Sequence, residues 1–523
     1  MSLEPGAASP RLRFALAAAC CALVAFPFLL VELPPLTDLG QHAAQIRLFL
    51  DTVGDADGPY RIQWLTPYGL GYLPVAIGWL IGGPLAAGRI GALLLAVAWV
   101  AALHLLAAGR GRPAAAAAVA GVLVFNHALY WGFLSFLAGW PAFVLWLLWT
   151  LSEPPPERPW RQATVTLAAA LLLYLSHALW FAVGVAWLAF LTLVRRRRLR
   201  AHLPRLAAVA PVLALAAVWF AGLSGSGFST PPLWLKPAAV RLSPDHLVDA
   251  VLGGLPGIAE PLVVAALLAW LALAVWRNRG HLAERSDPAL AALGAAFVAA
   301  ALVLPDKYTN TIEFNDRWLP LGLACLLLAA PSLRLTKGLL RGAAIALLAA
   351  WCLLTTLVWR QVEAREMAGF RQSLEALPPT PRLLGLDFAR RSPQLDGQPF
   401  FQAFAYGQAL RGGRLNFSFA EFPPSPVVLR DDAPSAWTPG LEWFPQRVRR
   451  PDLLHFDHVL VHGSPQVHRR LEAEPALEAA TPPAPWRLYA VRAEKLTAPG
   501  AATPTERSEP RPPPTTPSRP PAR

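Results

Sequence analysis

The sequence predicts an all-α polytopic membrane protein with a small C-terminal α/β domain on the external face. Hydrophobic residues make up 55% of the 523 positions, charged residues only 15%, and the mean hydropathy is +0.40. Uncharged runs of about 18 residues or more, the length of a transmembrane helix, recur along the first two thirds of the chain. After about residue 360 the sequence turns polar and carries short strand-like runs. We therefore expect about eleven transmembrane helices, followed by a compact domain.

The basic composition is explained by membrane topology. The net charge is +13 and the pI about 10.2, values that would suggest nucleic-acid binding in a soluble protein. The basic residues, however, cluster between apolar runs, as in the four arginines at 195–198. Lys and Arg accumulate on the cytoplasmic side of membrane proteins. We therefore expect no nucleic-acid partner. Neither a GxxxxGK[ST] motif nor a convincing GxGxxG motif is present, so the sequence shows no nucleotide-binding signature.

The candidate spans follow one another closely through the first 358 residues. The first of them follows two arginines but lacks a small-residue cleavage site, so we interpret it as an uncleaved helix. The run at 163–194 is long for one crossing and is compatible with two short helices. A window of about 20 residues places the spans at roughly 14–31, 67–83, 87–108, 114–130, 135–151, 163–194, 206–223, 258–276, 289–305, 318–333 and 339–358.

The charge distribution orients these spans. With a cytoplasmic N-terminus, the basic clusters at 195–198, 277–279 and 334–341 lie in the cytoplasm, and the C-terminal domain lies outside. Arg110 and Arg112 break this positive-inside pattern. These two arginines therefore weaken the assignment of the third and fourth spans, 87–108 and 114–130.

Composition divides the chain into three parts. Residues 1–359 form the predicted transmembrane domain. Residues 360–495 contain the strand-like runs "RLLGLDF", "HVLVHG" and "WRLYAV" between helical stretches, which predicts an external α/β domain. Residues 496–523 are rich in proline and cannot form a core, so we expect a disordered tail.

Ionisable residues crowd the point where the first span ends, in "LVELPPLTDLGQHAAQIRLFL" at 30–50. Two prolines end the first helix, and Thr37 is a plausible N-cap for a second one. On that second helix Asp38, His42, Gln45 and Phe49 share one face. One interpretation is a capped interfacial helix with a solvated stripe. The other is a catalytic carboxylate, Asp38, oriented by His42 and placed to take a proton at the membrane boundary.

A second cluster of charges lies in "LPDKYTNTIEFNDRWLP", a short predicted external loop at 304–320. We predict substrate-binding roles for Lys307, Tyr308, Glu313 and Arg317, because Lys and Arg bind phosphate groups and Arg does so as a bidentate fork. A solvated loop whose basic side chains reach the interface is the alternative.

Four further residues are candidates on weaker grounds. Glu32 follows the first span directly, and His246 lies in the predicted external loop 224–257. We include both as substrate-binding candidates. His127 and His177 lie in or near spans, where ionisable residues are often functional, although a structural hydrogen bond to a neighbouring helix explains them equally well.

Several of these segments together resemble a known family. They are "PPLTDLGQH", "TPYGLGYLPVAIGWLIGG", "AAGRIGALLL", "FDHVLVHG" and "WRLYAV", set in about eleven spans with an external α/β domain. In this architecture the chain resembles the bacterial GT-C glycosyltransferases that use polyprenol-phosphate donors.

The resemblance implies a function and a catalytic residue. In that family an acidic residue of the first external loop acts as general base, and Asp38 is the matching position. It implies transfer of a hexosyl or pentosyl group, with inversion, from a polyprenol-phosphate donor to an envelope lipid, glycan or protein acceptor. Many members carry two adjacent acids at this point, whereas here Leu39 follows Asp38.

Two other functions stay open at this stage. A transporter or flippase for lipid-linked or anionic solutes would use polar groups inside the membrane, and His127 and His177 favour it. A non-catalytic envelope-assembly protein is compatible with the single acid. Internal repeats, which are common in transporters, are not visible in the sequence.

The remaining expectations concern partners and location. We expect a multi-pass protein of the bacterial inner membrane, with a cytoplasmic N-terminus and a periplasmic C-terminal domain. Its partners would be the lipid bilayer, a polyprenol-phosphate-linked sugar and the acceptor. The four cysteines all lie in apolar runs without CxxC spacing, so no metal ligand is assigned. No cofactor is predicted, and the sequence leaves a role for a divalent metal open.

Overall fold

The computed structural model describes residues 9–153, 158–195, 199–225, 230–333, 336–430 and 435–496. The predicted tail lies outside the described residues from position 497 onward. The helices are α1 (Pro10–Leu30), α2 (Leu39–Gly54), α3 (Leu73–Gly109), α4 (Ala114–Ala120), α5 (His127–Trp131), α6 (Leu134–Leu151), α7 (Pro159–Ser176), α8 (Ala178–Val194), α9 (Leu199–Gly225), α10 (Ala238–Arg241), α11 (Pro244–Val251), α12 (Ala259–Arg277), α13 (Leu282–Arg285), α14 (Pro288–Val303), α15 (Leu319–Ala329), α16 (Lys337–Glu366), α17 (Phe370–Glu375), α18 (Ala405–Arg411), α19 (Pro465–Glu472) and α20 (Ala493–Leu496). The strands are β1 (Tyr60–Ile62), β2 (Arg382–Asp387), β3 (Arg414–Leu415), β4 (Val427–Leu429), β5 (His458–His462), β6 (Leu477–Ala479) and β7 (Trp486–Val491).

The predicted fold class is confirmed: a bundle of apolar helices carries a small sheet near its C-terminus. Within the described ranges, 7 helical segments are long and apolar enough to cross a membrane, or up to 8 if the bent pair 279–285 and 288–303 counts as one span. This measure does not include shorter apolar helices such as α8. The count of about eleven spans stays a prediction.

The second predicted span, 67–83, folds back on the third. Gly83 has φ 73° and ψ −169°, and Pro84 follows it, so the helical hydrogen-bond ladder cannot continue through this point. A Cβ added to Gly91 would lie 2.8 Å from Val75 Cγ2, which places the two arms of α3 side by side. The segment 73–82 is thus the short arm of a helical hairpin.

This hairpin moves Arg110 and Arg112 to the other end of the bundle. The Arg13 guanidinium donates a hydrogen bond to the Arg112 carbonyl at 3.3 Å, and Arg110 forms a salt bridge of 2.7 Å with Asp287. Both arginines therefore lie at the end where α1 begins. We refer to it as the basic end, and the two apparent exceptions to the positive-inside pattern are removed.

The run at 163–194 forms two helices, one of the two alternatives considered for it. His177 is extended, with φ −172° and ψ 131°, and its Nδ1 accepts a hydrogen bond from the Leu179 amide at 3.1 Å. A Cβ added to Gly184 would lie 2.7 Å from Leu173 Cδ1, so α7 and α8 are antiparallel. His177 occupies the turn between them.

These two differences offset each other along the chain. The first reverses the direction of the helices that follow it relative to the prediction, and the second restores the predicted direction. The end of α16 accordingly lies beside the end of α1, where the Glu363 carboxylate accepts hydrogen bonds from the amides of Glu32 and Leu33 at 2.7 and 2.8 Å. The residues that follow α16 lie at this end of the bundle, together with the loop 31–66.

The C-terminal sheet has five strands in the order β3-β2-β5-β7-β6. Strand β2 pairs in parallel with β3 and β5, and β7 pairs antiparallel with β5 and β6. The three strand-like runs read from the sequence are β2, β5 and β7, and their buried side chains form the core of the sheet. Helix α16 continues to Glu366, past the predicted domain boundary at 359, and that boundary stays a prediction.

The loop after the first span is joined to the C-terminal region. Strand β1 pairs antiparallel with β4, and the Gln45 side chain exchanges two hydrogen bonds with the Val427 backbone, at 3.0 and 3.1 Å. The Gln41 amide donates to the Gln402 side chain at 2.7 Å. Helix α2 is therefore held between the bundle and the C-terminal region, and its first two turns are buried.

The hairpin in α3 predicts opposite accessibility for two exposed sites, Asp57 and Ser152. In a background without the four native cysteines, Asp57→Cys should react with an impermeant maleimide in intact cells, whereas Ser152→Cys should react only after permeabilisation. The reason is that Ser152 lies at the basic end, where its carbonyl accepts from Arg205. A full crossing by 73–82 would instead make both sites reactive in intact cells.

Candidate active site

A cavity of about 580 Å³ lies between the helical bundle and the C-terminal region. This volume is within the range of about 300–1,000 Å³ typical of ligand pockets. The first loop, the turns α5–α6 and α7–α8, the end of α9, the segment 307–317 and the segments 401–426 and 442–443 all contribute to its wall. The charged or titratable residues in its lining are Asp38, His42, Tyr68, Tyr72, His177, Lys307, Tyr308, Arg317 and Glu442.

Asp38 is fixed by its backbone rather than by its side chain. The amide of Thr37 donates to the Tyr130 carbonyl at 3.0 Å, and the amide of Asp38 donates to the Trp131 carbonyl at 3.2 Å. Asp38, rather than Thr37, occupies the N-cap position of α2, without a capping hydrogen bond from its side chain. Among the described residues none donates a hydrogen bond to its carboxylate, which leaves it available in the cavity wall.

Burial determines the protonation of Asp38. The residue is 8% exposed, and this burial raises the pKa of Asp38 to about 8, although the nearby Arg317 guanidinium lowers it. A carboxyl group with a pKa close to neutral exchanges its proton readily at physiological pH. That is the property a general base requires.

His42 lies beside Asp38 but does not hold its carboxylate. Its Nε2 is 2.9 Å from the Gly132 carbonyl, and its ring packs against the rings of Tyr72 and Phe419 at 5.1 and 5.5 Å. Burial lowers the pKa of His42 to about 4, so the ring is neutral and donates its Nε2–H to Gly132. His42 therefore fixes the turn that carries Gly132.

Gly132 brings this turn against Asp38. Its φ is 78°, in the left-handed region, and an added Cβ would lie 2.8 Å from the Asp38 amide nitrogen. Glycine is required here for both reasons. His42, Gly132 and Asp38 form one packed unit, in which the histidine positions the carboxylate through the turn.

Arg317 is a buried cation on the same cavity. It is 5% exposed, and its Nε and Nη2 donate to the carbonyls of Glu313 and Ile312 at 3.2 and 2.7 Å. Its guanidinium lies 3.8 Å from the Phe133 ring centroid. Burial lowers the pKa of Arg317 to about 10, so it stays charged at neutral pH. No carboxylate of the described chain forms a salt bridge with it, and an anionic ligand would supply the missing charge.

A network of charges around Lys236 holds the loop that carries Arg317. Lys236 Nζ lies 2.6 Å from Asp316 and 3.0 Å from Glu313, and Arg241 lies 2.7 Å from Asp306. The loop needs this support because Thr309, Asn310 and Glu313 have positive φ angles of 44°, 56° and 47°. Lys236 belongs to the predicted external loop 224–257, and its pairing with the 304–320 loop was not predicted from the sequence.

The predicted site residues fall into two groups. Asp38, His42, Lys307, Tyr308 and Arg317 line the cavity. Glu313, His246 and Glu32 do not belong to its lining. Glu313 pairs with Lys236, His246 lies 3.3 Å from Asp316, and Glu32 pairs with Arg371 at 2.9 Å. For these three the structure shows contacts within the protein, and their substrate-binding role stays a prediction.

The predicted polar face of α2 is also divided. Only Asp38 and His42 face the cavity, whereas Gln45 binds the backbone of Val427 and Phe49 packs against Trp64 at 5.9 Å. The part of this face that was expected to be solvated therefore contacts other segments of the protein.

The C-terminal wall of the cavity contains residues that sequence reasoning missed. Phe401, Phe417, Phe419, Glu442 and Trp443 belong to this wall. They lie more than 350 positions after Asp38 in the chain, and no local motif marks them. His177 also lines the cavity, and its position at a break in an apolar run was the available signal.

No group of three or more His, Cys, Asp or Glu side chains within the described residues is arranged to hold a metal ion. The cations of the cavity are Lys307 and Arg317. The role of a divalent metal stays open.

The fold of the chain is similar to that of solved membrane proteins. No protein-family model and no curated protein sequence matches the chain. The crystal structure of ArnT from Cupriavidus metallidurans in the apo state is 15% identical, with a TM-score of 0.50 over 93% of this chain and 98% of that one.

Two further structures overlap the chain at slightly lower scores. ArnT from Cupriavidus metallidurans bound to undecaprenyl phosphate is 13% identical, with a TM-score of 0.49 over 94% of this chain and 100% of that one. The cryo-EM structure of the arabinofuranosyltransferase AftD from Mycobacteria is 18% identical, with a TM-score of 0.49 over 94% of this chain and 40% of that one. The apo ArnT structure, with a TM-score of 0.50 over nearly the full length of both chains, shows a similarity of fold alone. The chain is a multi-pass membrane protein with a GT-C-like fold.

The charge network predicts different roles for two lysines of the loop region. Lys236→Met should destabilise the protein by about 3 kcal/mol, because it leaves buried carboxylates without their counter-charge. Lys307→Met should leave stability nearly unchanged, since Lys307 forms no salt bridge within the described residues. Thermal unfolding of both variants in lipid nanodiscs is the measurement. Equal melting temperatures would show that the network does not stabilise the loop.

Proposed function

We propose that the chain is an integral membrane glycosyltransferase that moves a sugar from a polyprenol-phosphate donor to an envelope lipid, glycan or protein acceptor. The observation that carries this proposal is the meeting of Asp38, Lys307 and Arg317 on one cavity at the end of the bundle. Asp38 would act as the general base. The two cations would bind the donor phosphate.

The cations and the membrane helices suit a lipid phosphate. Arg317 offers a buried positive charge without a salt bridge to the described residues, and Lys307 lies on the same wall. Phe220 of α9 lines the cavity and is 44% exposed. Part of the cavity wall is therefore formed by a candidate membrane helix. An isoprenoid chain placed along α9 would keep its phosphate beside Arg317.

The proposed reaction uses these groups in one displacement. The Asp38 carboxylate takes the proton of the acceptor hydroxyl, and the hydroxyl oxygen attacks the anomeric carbon of the donor sugar. The bond from that carbon to the phosphate oxygen breaks, and the configuration is inverted. The negative charge gained by the leaving polyprenyl phosphate is stabilised by Arg317 and Lys307.

The proposed location follows from the two ends of the bundle. Arg13, Arg110, Arg112 and Arg195 mark the basic end, which would face the cytoplasm of a bacterial inner membrane. The cavity and the C-terminal sheet would then face the periplasm.

A transporter or flippase for lipid-linked or anionic solutes is the second candidate. It is favoured by His177, an ionisable residue at a broken apolar run that lines the cavity. It differs from the first proposal in requiring no base.

Asp38→Asn should lower sugar transfer by about 100- to 10,000-fold, the usual cost of losing a general base. The amide keeps the shape of the side chain but takes up no proton at neutral pH. The measurement is transfer of radiolabelled sugar from a polyprenol-phosphate pool in membranes, at matched expression. Undecaprenyl phosphate binding and the melting temperature should stay close to wild type.

The matched control is Asp55→Asn, an exposed acid of the same loop that lies outside the cavity. It should transfer sugar normally. Near-normal transfer by Asp38→Asn would refute the base assignment. Wild-type membranes that bind and move the lipid phosphate without transferring sugar would favour the transporter.

The pH profile tests the coupling between Asp38 and Arg317. Because the base must be deprotonated and burial raises the pKa of Asp38 to about 8, kcat/KM should rise with pH, reach half its maximum near pH 8 and level off above it. In Arg317→Met the charge that lowers this pKa is lost, so the rise should move to higher pH. Arg317→Lys keeps the charge and should leave it near pH 8. A rise near pH 4, or an unchanged profile in Arg317→Met, would contradict the assignment.

A further inference from the structure

The C-terminal wall of the cavity carries a tight turn with a distinct chemistry. The amides of Trp443 and Phe444 donate to the Gly440 carbonyl at 3.0 and 2.9 Å, and Gly440 has a φ of 76°. This turn presents two adjacent side chains, Glu442 and Trp443, to the cavity. Its neighbour Phe444 is not part of the lining.

Glu442 is a carboxylate without a protein counter-charge nearby. It forms no salt bridge with a described residue, and the donor beside it is its own backbone amide. Burial raises the pKa of Glu442. Glu421 is close enough to feel its charge but differs, because it accepts the Ser418 amide at 3.2 Å in a capping box. Glu421 thus has a structural role that Glu442 lacks.

Trp443 extends the same wall with aromatic surface. Its ring lies 4.0 Å from that of Phe401, at an angle of 41°. Phe417, Phe419 and Phe422 pack against one another a little further along the wall. The Glu442 carboxylate, which accepts hydrogen bonds, therefore lies next to an apolar aromatic surface.

We propose that Glu442 and Trp443 form a sugar-binding subsite of the cavity. A sugar ring has an edge of hydroxyl donors, which suits a carboxylate with free lone pairs. It also has an apolar C–H face, which suits the indole ring. The proposal rests on the proposed glycosyltransferase function and adds which wall recognises the sugar.

The subsite and the base belong to different parts of the fold. Asp38 and the two cations come from the loops of the bundle, whereas Glu442 and Trp443 come from the C-terminal region. All of these residues line the same cavity. The transferred sugar and a sugar of the acceptor offer the same chemistry, and the experiment separates them.

The direct test measures sugar binding in lipid nanodiscs, where no glycoside detergent competes. A panel of methyl glycosides is titrated by saturation-transfer NMR against wild type, Glu442→Gln and Trp443→Ala. We expect Glu442→Gln to weaken binding by about 10- to 100-fold, the range for losing a hydrogen bond to a charged group. Trp443→Ala should weaken it by about 10-fold, because the apolar face of the sugar loses its aromatic contact. Undecaprenyl phosphate binding should stay unchanged in both.

Phe444→Ala is the matched control, since it alters the same turn but not the cavity wall. It should bind the glycosides as wild type does. Glycoside binding that is unchanged in both Glu442→Gln and Trp443→Ala, or reduced equally in Phe444→Ala, overturns the subsite.

Two activity measurements show whether the subsite binds the transferred sugar or a sugar of the acceptor. Release of the donor sugar to water needs no acceptor, so a variant that slows transfer but not this release has lost acceptor binding. A variant that slows both has lost binding of the transferred sugar. Glycoside binding that depends on Glu442 and Trp443 in a chain without transfer activity would refute the proposed function and leave the subsite standing.

Discussion

The burial of opposite charges beside one cavity is the constraint on which the rest of the site depends. Asp38 and Arg317 are both largely removed from water, and each is costly to bury without compensation. Two structural elements hold these charged residues in place. The Gly132 turn holds Asp38, and the Lys236 network holds the loop of Arg317. The two charges influence each other without forming a salt bridge, and both line the cavity.

The fold was predictable where the signal is local. Long apolar runs predicted the bundle, and the runs "RLLGLDF", "HVLVHG" and "WRLYAV" predicted the strands of the sheet. One span was assigned wrongly and another was left open for the same physical reason: hydropathy does not report where a helix reverses. The backbone at Gly83 turns the chain back, and the extended backbone at His177 divides one apolar run. Arg110 and Arg112 were the clue to the first error.

The candidate site was predictable in part for a related reason. Asp38 and Arg317 lie in short segments with unusual charge density near span ends, which is visible in sequence. Gly132, Glu442 and Trp443 acquire their roles through contacts between segments far apart in the chain. Their own neighbourhoods carry no comparable pattern. Gln45 shows the opposite case, because its helical position suggested the cavity whereas its amide pairs with Val427.

The pairing of β1 with β4 also sets the timing of assembly on the ribosome. Arg430 and Tyr60, which share a hydrogen bond beside these strands, are 370 positions apart. At about 5–20 residues per second, roughly 20–70 s of translation separate them. During this interval the Asp38 loop has emerged but lacks the segment that covers it. The cavity is therefore completed after the last membrane helix has been made, and a chain truncated before β4 would carry Asp38 without this cover.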